Sequence, residues 1–148
     1  MTPLSDNAET ADLSLVDALA QLSFLIQGEL AEATADHDLS IIQTRLLGIL
    51  RDREPTMNEL GAYLKLDKSS ITGLVDRAER RGLVRRMTSS RDRRAVQVSI
   101  TDAGRRIAEQ VSTKFGHRMA VITARLTDTE RTRLTTLPTR LLRNDAHR

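Results

Sequence analysis

From Leu15 onward the apolar residues Leu15, Leu19, Leu22, Ile26, Leu30 and Ala33 recur at three- and four-residue steps, which is the period of a helix with one apolar stripe. The stripe predicts a helix over about 13–35. After a polar turn from Asp36 to Leu39, Ser40 and Gln43 form a capping box that opens a second helix, buried along Ile42, Leu46, Ile49 and Leu50. Thr56 and Glu59 repeat that box behind Pro55 and start a short third helix with Leu60 and Leu64 inward. Asp67 caps a fourth, in which Ile71, Leu74, Val75 and Ala78 fall at i, i+3, i+4 and i+7, and Gly82 is placed to end it in the left-handed conformation. Two short helices joined by a tight turn predict a helix-turn-helix.

Beyond Gly82 the period changes. Residues 83–88 form a strand candidate, 89–94 a polar turn, and Val96, Val98 and Ile100 alternate with Gln97 and Ser99, which together predict a β-hairpin, or wing. Thr101 caps a long helix whose stripe runs through Ile107, Val111, Phe115, Met119 or Arg118, Ile122 and Leu126. Thr127 and Glu130 make a third box, opening a last helix with Leu134, Leu137 and Leu141, which Pro138 is expected to kink. The fold class expected is mainly α: a winged helix-turn-helix with a small β-hairpin wing and N- and C-terminal dimerisation helices. Its parts are a disordered lead-in at 1–12, a dimerisation helix at 13–38, the winged region at 39–101 and further dimerisation helices at 102–148. Both long stripes exceed what one chain covers, so a homodimer is expected.

Composition narrows the function. The chain has no cysteine, which excludes disulfides, thiolate metal sites and thiol switches. Its only aromatic residues are Phe24, Tyr63 and Phe115, too few for base stacking as the main binding mode. There is no basic-then-apolar leader and no stretch near the ~20 apolar residues of a membrane span, so a cytoplasmic protein without a membrane partner is expected. The charge is uneven: net −8 over residues 1–64, +6 over 65–94 and +5 over 95–148, adding to +3. An acidic front beside a concentrated basic segment suggests a polyanion-binding face.

That basic segment coincides with the fourth helix and the hairpin. The helix shows Lys68, Ser69, Ser70, Thr72, Gly73, Asp76, Arg77 and Arg80 opposite its apolar face. Hydroxyls reach base edges or phosphates, Gly73 permits close backbone approach, and Arg77 can grip guanine or phosphate with two N–H groups. A solvated amphipathic helix is the alternative. The wing shifts the balance, since Arg85, Arg86, Arg91, Arg93 and Arg94 surround a tight turn able to reach a minor groove. Asp92 among them reads either as a carboxylate holding an arginine side chain or as a turn-former.

Three segments in order resemble the MarR (multiple antibiotic resistance regulator) winged-helix family: Asn58 to Leu64 (NELGAYL), Asp67 to Val84 (DKSSITGLVDRAERRGLV) and Arg91 to Thr101 (RDRRAVQVSIT) with Gly104 following. The resemblance spans residues 13–142. It implies a symmetric dimer interlocked through its first and last two helices, with a recognition helix at 67–82 in the major groove and a wing at 85–94 in the minor groove. It also implies that Asp92 orients Arg94. Many members carry a basic residue where this chain has Gly73, and an acidic one in place of Ser89. The resemblance further implies small anionic aromatic effectors bound between the dimer helices and the winged region. His37, Arg45 and Arg51 are the candidate ligand groups, with surface charge on a helix end as their alternative reading. With His37, His117 and His147 scattered, no metal or other cofactor is expected. Nor is there a phosphate loop, Gly-x-Ser-x-Gly elbow, His-Glu-x-x-His or Cys/His pair, so no enzyme is expected. The expected function is a sequence-specific double-stranded DNA-binding transcriptional regulator, a repressor that binds a pseudo-palindromic operator and is released by a small ligand. A sequence-tolerant architectural DNA-binding protein is the alternative.

Overall fold

The computed structural model describes residues 12–145. The lead-in expected at 1–12 lies outside these except for Asp12, and His147 lies outside them too. The order is α1 (Leu15–Thr34), a 3-10 turn (Ala35–His37), α2 (Ile41–Asp52), α3 (Met57–Leu64), α4 (Lys68–Arg80), β1 (Val84–Thr88), β2 (Val96–Ile100), α5 (Asp102–Thr123) and α6 (Asp128–Asp145).

Each helix start has a local chemical cause. Ser40 and Thr56 accept the backbone N–H of Gln43 and Glu59, whose side chains reach back to the N–H of Ser40 and Thr56. Asp67 accepts from Ser70 N at 2.7 Å, and Thr101 from Gly104 N at 3.1 Å. The Thr127–Glu130 box closes in both directions at 2.8 and 3.2 Å. At the end of α4, Gly82 (φ +71°) donates to Glu79 O and Leu83 donates to Ala78 O, the paired bonds of a Schellman stop. The chain leaves α4 along a fixed path into β1.

β1 and β2 pair antiparallel, with Val84 opposite Ile100 and Thr88 opposite Val96. A third short stretch joins them, which the sequence pattern does not reveal: Thr56 bridges Gln97, Val98 N donates to Pro55 O at 2.9 Å, and the Gln97 amide donates to Glu54 O at 3.1 Å. The hairpin is thereby fastened to the start of α3 as well as to α4.

The core lies inside the winged region. Leu46, Leu50, Leu60, Leu74, Val75, Val84 and Val98 are fully enclosed, joining α2, α3, α4 and the hairpin. α5 docks on this unit at its first turn, where Gly104 is required: a Cβ there would stand 2.1 Å from Leu83 O and 2.9 Å from Ile100 Cγ1. Further along, α5 packs on α1 and pairs Arg118 with Glu29 and Lys114 with Asp36, the latter at 3.1 Å. Arg118, one of the two residues considered for the apolar stripe, is thus an ion-pairing residue.

The long helices carry exposed apolar surface. Leu15, Val16, Leu19, Phe24 and Leu25 on α1 face solvent, Phe24 being 72% exposed. On α6, Leu134, Leu137, Leu141 and Leu142 are all exposed. The turn before α6 is fixed by Arg131, which donates to Thr123 O and Leu126 O at 3.2 and 2.6 Å and pairs with Asp128. α6 continues through Pro138 as one helix, with Thr132, Thr135, Thr136 and Thr139 each donating to the carbonyl four residues back. No helix among the described residues is long and apolar enough to cross a membrane.

Candidate nucleic-acid interface

α4 sits on the core through Ile71, Leu74, Val75 and Ala78, which leaves the opposite side to Lys68, Ser69, Ser70, Thr72, Arg77 and Arg80, all exposed. Two of its hydroxyls are engaged: Ser69 Oγ donates to Asp67 Oδ1 at 3.1 Å and Thr72 Oγ1 to Lys68 O at 2.8 Å. The Asp67 carboxyl is held below the ordinary carboxylate value, chiefly by the Ser70 backbone N–H and then by the Ser70 and Ser69 hydroxyls. Gly73 lies at mid-helix, where an added Cβ would meet only the tip of Arg77, Nη1 at 3.2 Å. The fold therefore places no demand for glycine there.

The six wing residues divide into two groups. Arg91, Arg93 and Arg94 project from the tip, and their guanidiniums make no hydrogen bond or ion pair among the described residues. Arg85 is exposed on β1, with Nε donating to the buried Ser99 hydroxyl at 3.3 Å. Arg86 differs from the expectation of a free wing cation. Its side chain is 25% exposed and turned back onto α4, pairing with Asp76 at 2.6 Å and Glu79 at 3.0 Å, while Glu79 also accepts the Arg86 backbone N–H. Asp76 and Arg86 therefore clamp hairpin to helix.

The Asp92 carboxylate acts on Arg94 through the main chain, accepting the Arg94 N–H at 2.9 Å. Of the two readings of Asp92, the turn-former is the one this geometry displays. Ser89 is buried and accepts from Arg91 N at 3.2 Å and from Asp92 N at 3.4 Å. A serine hydroxyl supplies the acceptor that a carboxylate would, without its charge. Ser89 N and Ala95 N close the loop on Ala95 O and Asp92 O, each at 3.0 Å. The tip is a hydrogen-bonded scaffold carrying three guanidiniums that are unpaired among the described residues.

The candidate ligand groups do not converge on one cavity. Arg45 lines a groove of about 640 Å³ with Gly48, Ile49, Asp52, Arg53, Tyr63 and Leu142, in which the Arg53 guanidinium lies 5.3 Å from the Tyr63 ring centre. Arg51 is instead bound to Asp52 at 3.1 Å; that hydrogen bond lowers the Asp52 pKa and raises that of Arg51. His37 is in the 3-10 turn, with its carbonyl accepting from Arg81. Arg81 is a residue the sequence reading missed: its Nη atoms donate to His37 O at 2.6 Å and Asp38 O at 2.9 Å, tying the end of α4 to the α1–α2 connection. Among the described residues no group of three His, Asp or Glu side chains is placed to hold a metal ion.

The model of the MarR family matches residues 37–95, from the α1–α2 turn to the end of the wing tip. HTH-type transcriptional regulator PecS of Dickeya dadantii (strain 3937) is 27% identical over 127 residues, covering 83% of this chain and 76% of that protein. The organic hydroperoxide resistance transcriptional regulator of Bacillus subtilis (strain 168) is 30% identical over 98 residues, covering 61% of this chain and 67% of its own. Among solved structures, wild-type MarR in its apo form from E. coli superposes with a TM-score of 0.74 at 26% identity, over 89% of this chain and 99% of that one.

Proposed function

The chain belongs to the MarR family of DNA-binding transcriptional regulators, and we propose that it acts as a sequence-specific homodimeric repressor whose two recognition helices read a pseudo-palindromic operator. The observation that carries this reading is the coincidence of one unpaired basic surface with two rigidly joined elements. α4 offers Lys68, Arg77 and small polar groups, the wing tip offers Arg91, Arg93 and Arg94, and the Arg86–Asp76–Glu79 clamp fixes one to the other. A helix fits the major groove and an arginine-tipped hairpin the adjacent minor groove, so a fixed spacing between them converts two contacts into one register. The family is not an enzymatic one, and a cytoplasmic location is part of the proposal.

Ligand-released repression is part of the proposal. The groove lined by Arg45, Arg53 and Tyr63 has the size of a small-molecule site and offers two guanidiniums and an aromatic ring to an anionic aromatic compound. Selection of bound duplexes from a random DNA library tests the reading. A two-fold symmetric motif with half-sites about one helical turn apart is expected. Recovery of duplexes without a shared motif would instead favour a sequence-tolerant architectural protein.

A further inference from the structure

Beside the recognition helix, on the side of the α1–α2 connection, lies a second basic cleft of about 620 Å³, lined by Asp38, Leu39, Ser40, Gln43, Arg77, Arg80 and Arg81. Three guanidiniums face one carboxylate. Their donors are unequally occupied. The Arg77 guanidinium makes no hydrogen bond among the described residues, and that of Arg80 uses only Nε, at 3.4 Å to Asp76 O. Gln43 spends its carbonyl oxygen on the Ser40 N–H, which leaves both amide hydrogens free, and the Ser40 hydroxyl accepts from Gln43 N while its own proton is unused. Arg81 fastens the rim by holding the His37 and Asp38 carbonyls. The cleft is therefore preformed, carries excess positive charge and offers hydrogen-bond donors from two separate elements.

We propose that this cleft is a phosphate-class oxyanion site that takes a phosphodiester of the DNA backbone, with Arg77, Arg80, Gln43 and Ser40 as donors and Arg81 as the residue that positions the α2 side against α4. The inference rests on the DNA-binding reading and extends the interface beyond recognition helix and wing to the start of α2. Planar guanidiniums and amide N–H groups suit the tetrahedral oxygens of a phosphate, and contacts of this kind set register without reading sequence. A neighbouring free oxyanion would use the same donors, so the test separates the two sources.

The variant Gln43→Glu keeps the capping box, since a carboxylate also accepts the Ser40 N–H, but sets a negative charge among the guanidiniums. Binding to a library-selected duplex and to an unrelated duplex is measured by fluorescence anisotropy across a salt series. Affinity is expected to fall about tenfold on both duplexes, with the logarithmic salt slope shallower by about 0.9 per phosphate lost. A single methylphosphonate at the contacted position should weaken the native protein but cost Gln43→Glu nothing further. Unchanged affinity and slope in the variant, while the native protein still prefers the selected duplex, would overturn the cleft and leave the regulator reading standing. Failure of the native protein to bind DNA would remove both. In the second arm inorganic phosphate replaces chloride at constant ionic strength. A melting temperature raised by millimolar phosphate in the native protein but not in Gln43→Glu, with DNA binding unaltered by the substitution, would assign the cleft to a free oxyanion and overturn the phosphodiester.

Discussion

Arg86 and Arg94 are both wing arginines in the sequence, yet the structure gives them different work, and substitution should separate them. Arg94 is exposed and anchored only through its backbone to Asp92. Arg94→Ala should leave the urea midpoint unchanged and weaken operator binding by about 1 to 3 kcal/mol. Arg86→Ala removes the partner of Asp76 and Glu79, a half-exposed network, so it should cost about 1 kcal/mol of folding stability and also affinity, because the wing is released from α4. Equal stability losses in the two variants would contradict this division. Nothing in the fold needs Gly73, and glycine within a helix is about 0.5 to 1 kcal/mol worse than alanine. Gly73→Ala should stabilise the free protein by that amount in urea titration while altering which duplexes are selected.

At the scale of the element, the chain's boundaries are written in its capping residues. Ser40 with Gln43, Thr56 with Glu59, Asp67, Gly82, Thr101, and Thr127 with Glu130 could each be read from local sequence, because a cap is a contact between residues three apart. What local sequence could not carry was contact across the chain. Arg81 reaches carbonyls 43 and 44 residues away, Arg86 meets Asp76 across the α4–β1 turn, and Glu54 to Thr56 join a hairpin strand some 40 residues further along the chain. Gly104 stood out in sequence only as part of a motif; the structure supplies its reason. Gly104→Ala drives a Cβ into the Leu83 carbonyl, so thermal denaturation should report a loss of about 3 kcal/mol or more. The Asp67 cap makes a pH prediction. Its native pKa lies below the 3.8 of a free aspartate, so its contribution is complete above that value and is lost as pH falls through the lower native one. Asp67→Asn keeps an acceptor but cannot titrate. Native protein and variant should converge in stability as pH drops through this window, and a constant difference would contradict the assignment.

For the whole molecule, the imbalance between core and helices governs behaviour. The winged region encloses its own core, whereas α1 and α6 leave Phe24 72%, Leu137 54% and Leu141 64% exposed, large apolar side chains that a partner surface would cover. A second copy of the chain is the proposed cover. Replacing Leu137 and Leu141 together by Asp should convert a sedimenting dimer to monomer and abolish cooperative binding to a two-half-site duplex. A monomeric native protein at micromolar concentration would contradict it. The helix-turn-helix and hairpin that enclose the core were legible in the period change at Gly82, whereas the exposure of Leu137 and Leu141 on α6 bears on the dimer only as a proposal. The groove proposed for a ligand was not legible, because its lining comes from α2, α3 and α6, which only folding assembles.

Sequence-specific binding is tested by competition between a library-selected duplex and a scrambled duplex of the same composition for the purified protein at two salt concentrations. A preference of about a thousandfold or more that survives the higher salt is expected, because base contacts persist when phosphate contacts weaken. Equal affinity for both duplexes, falling steeply and in parallel with salt, would contradict it.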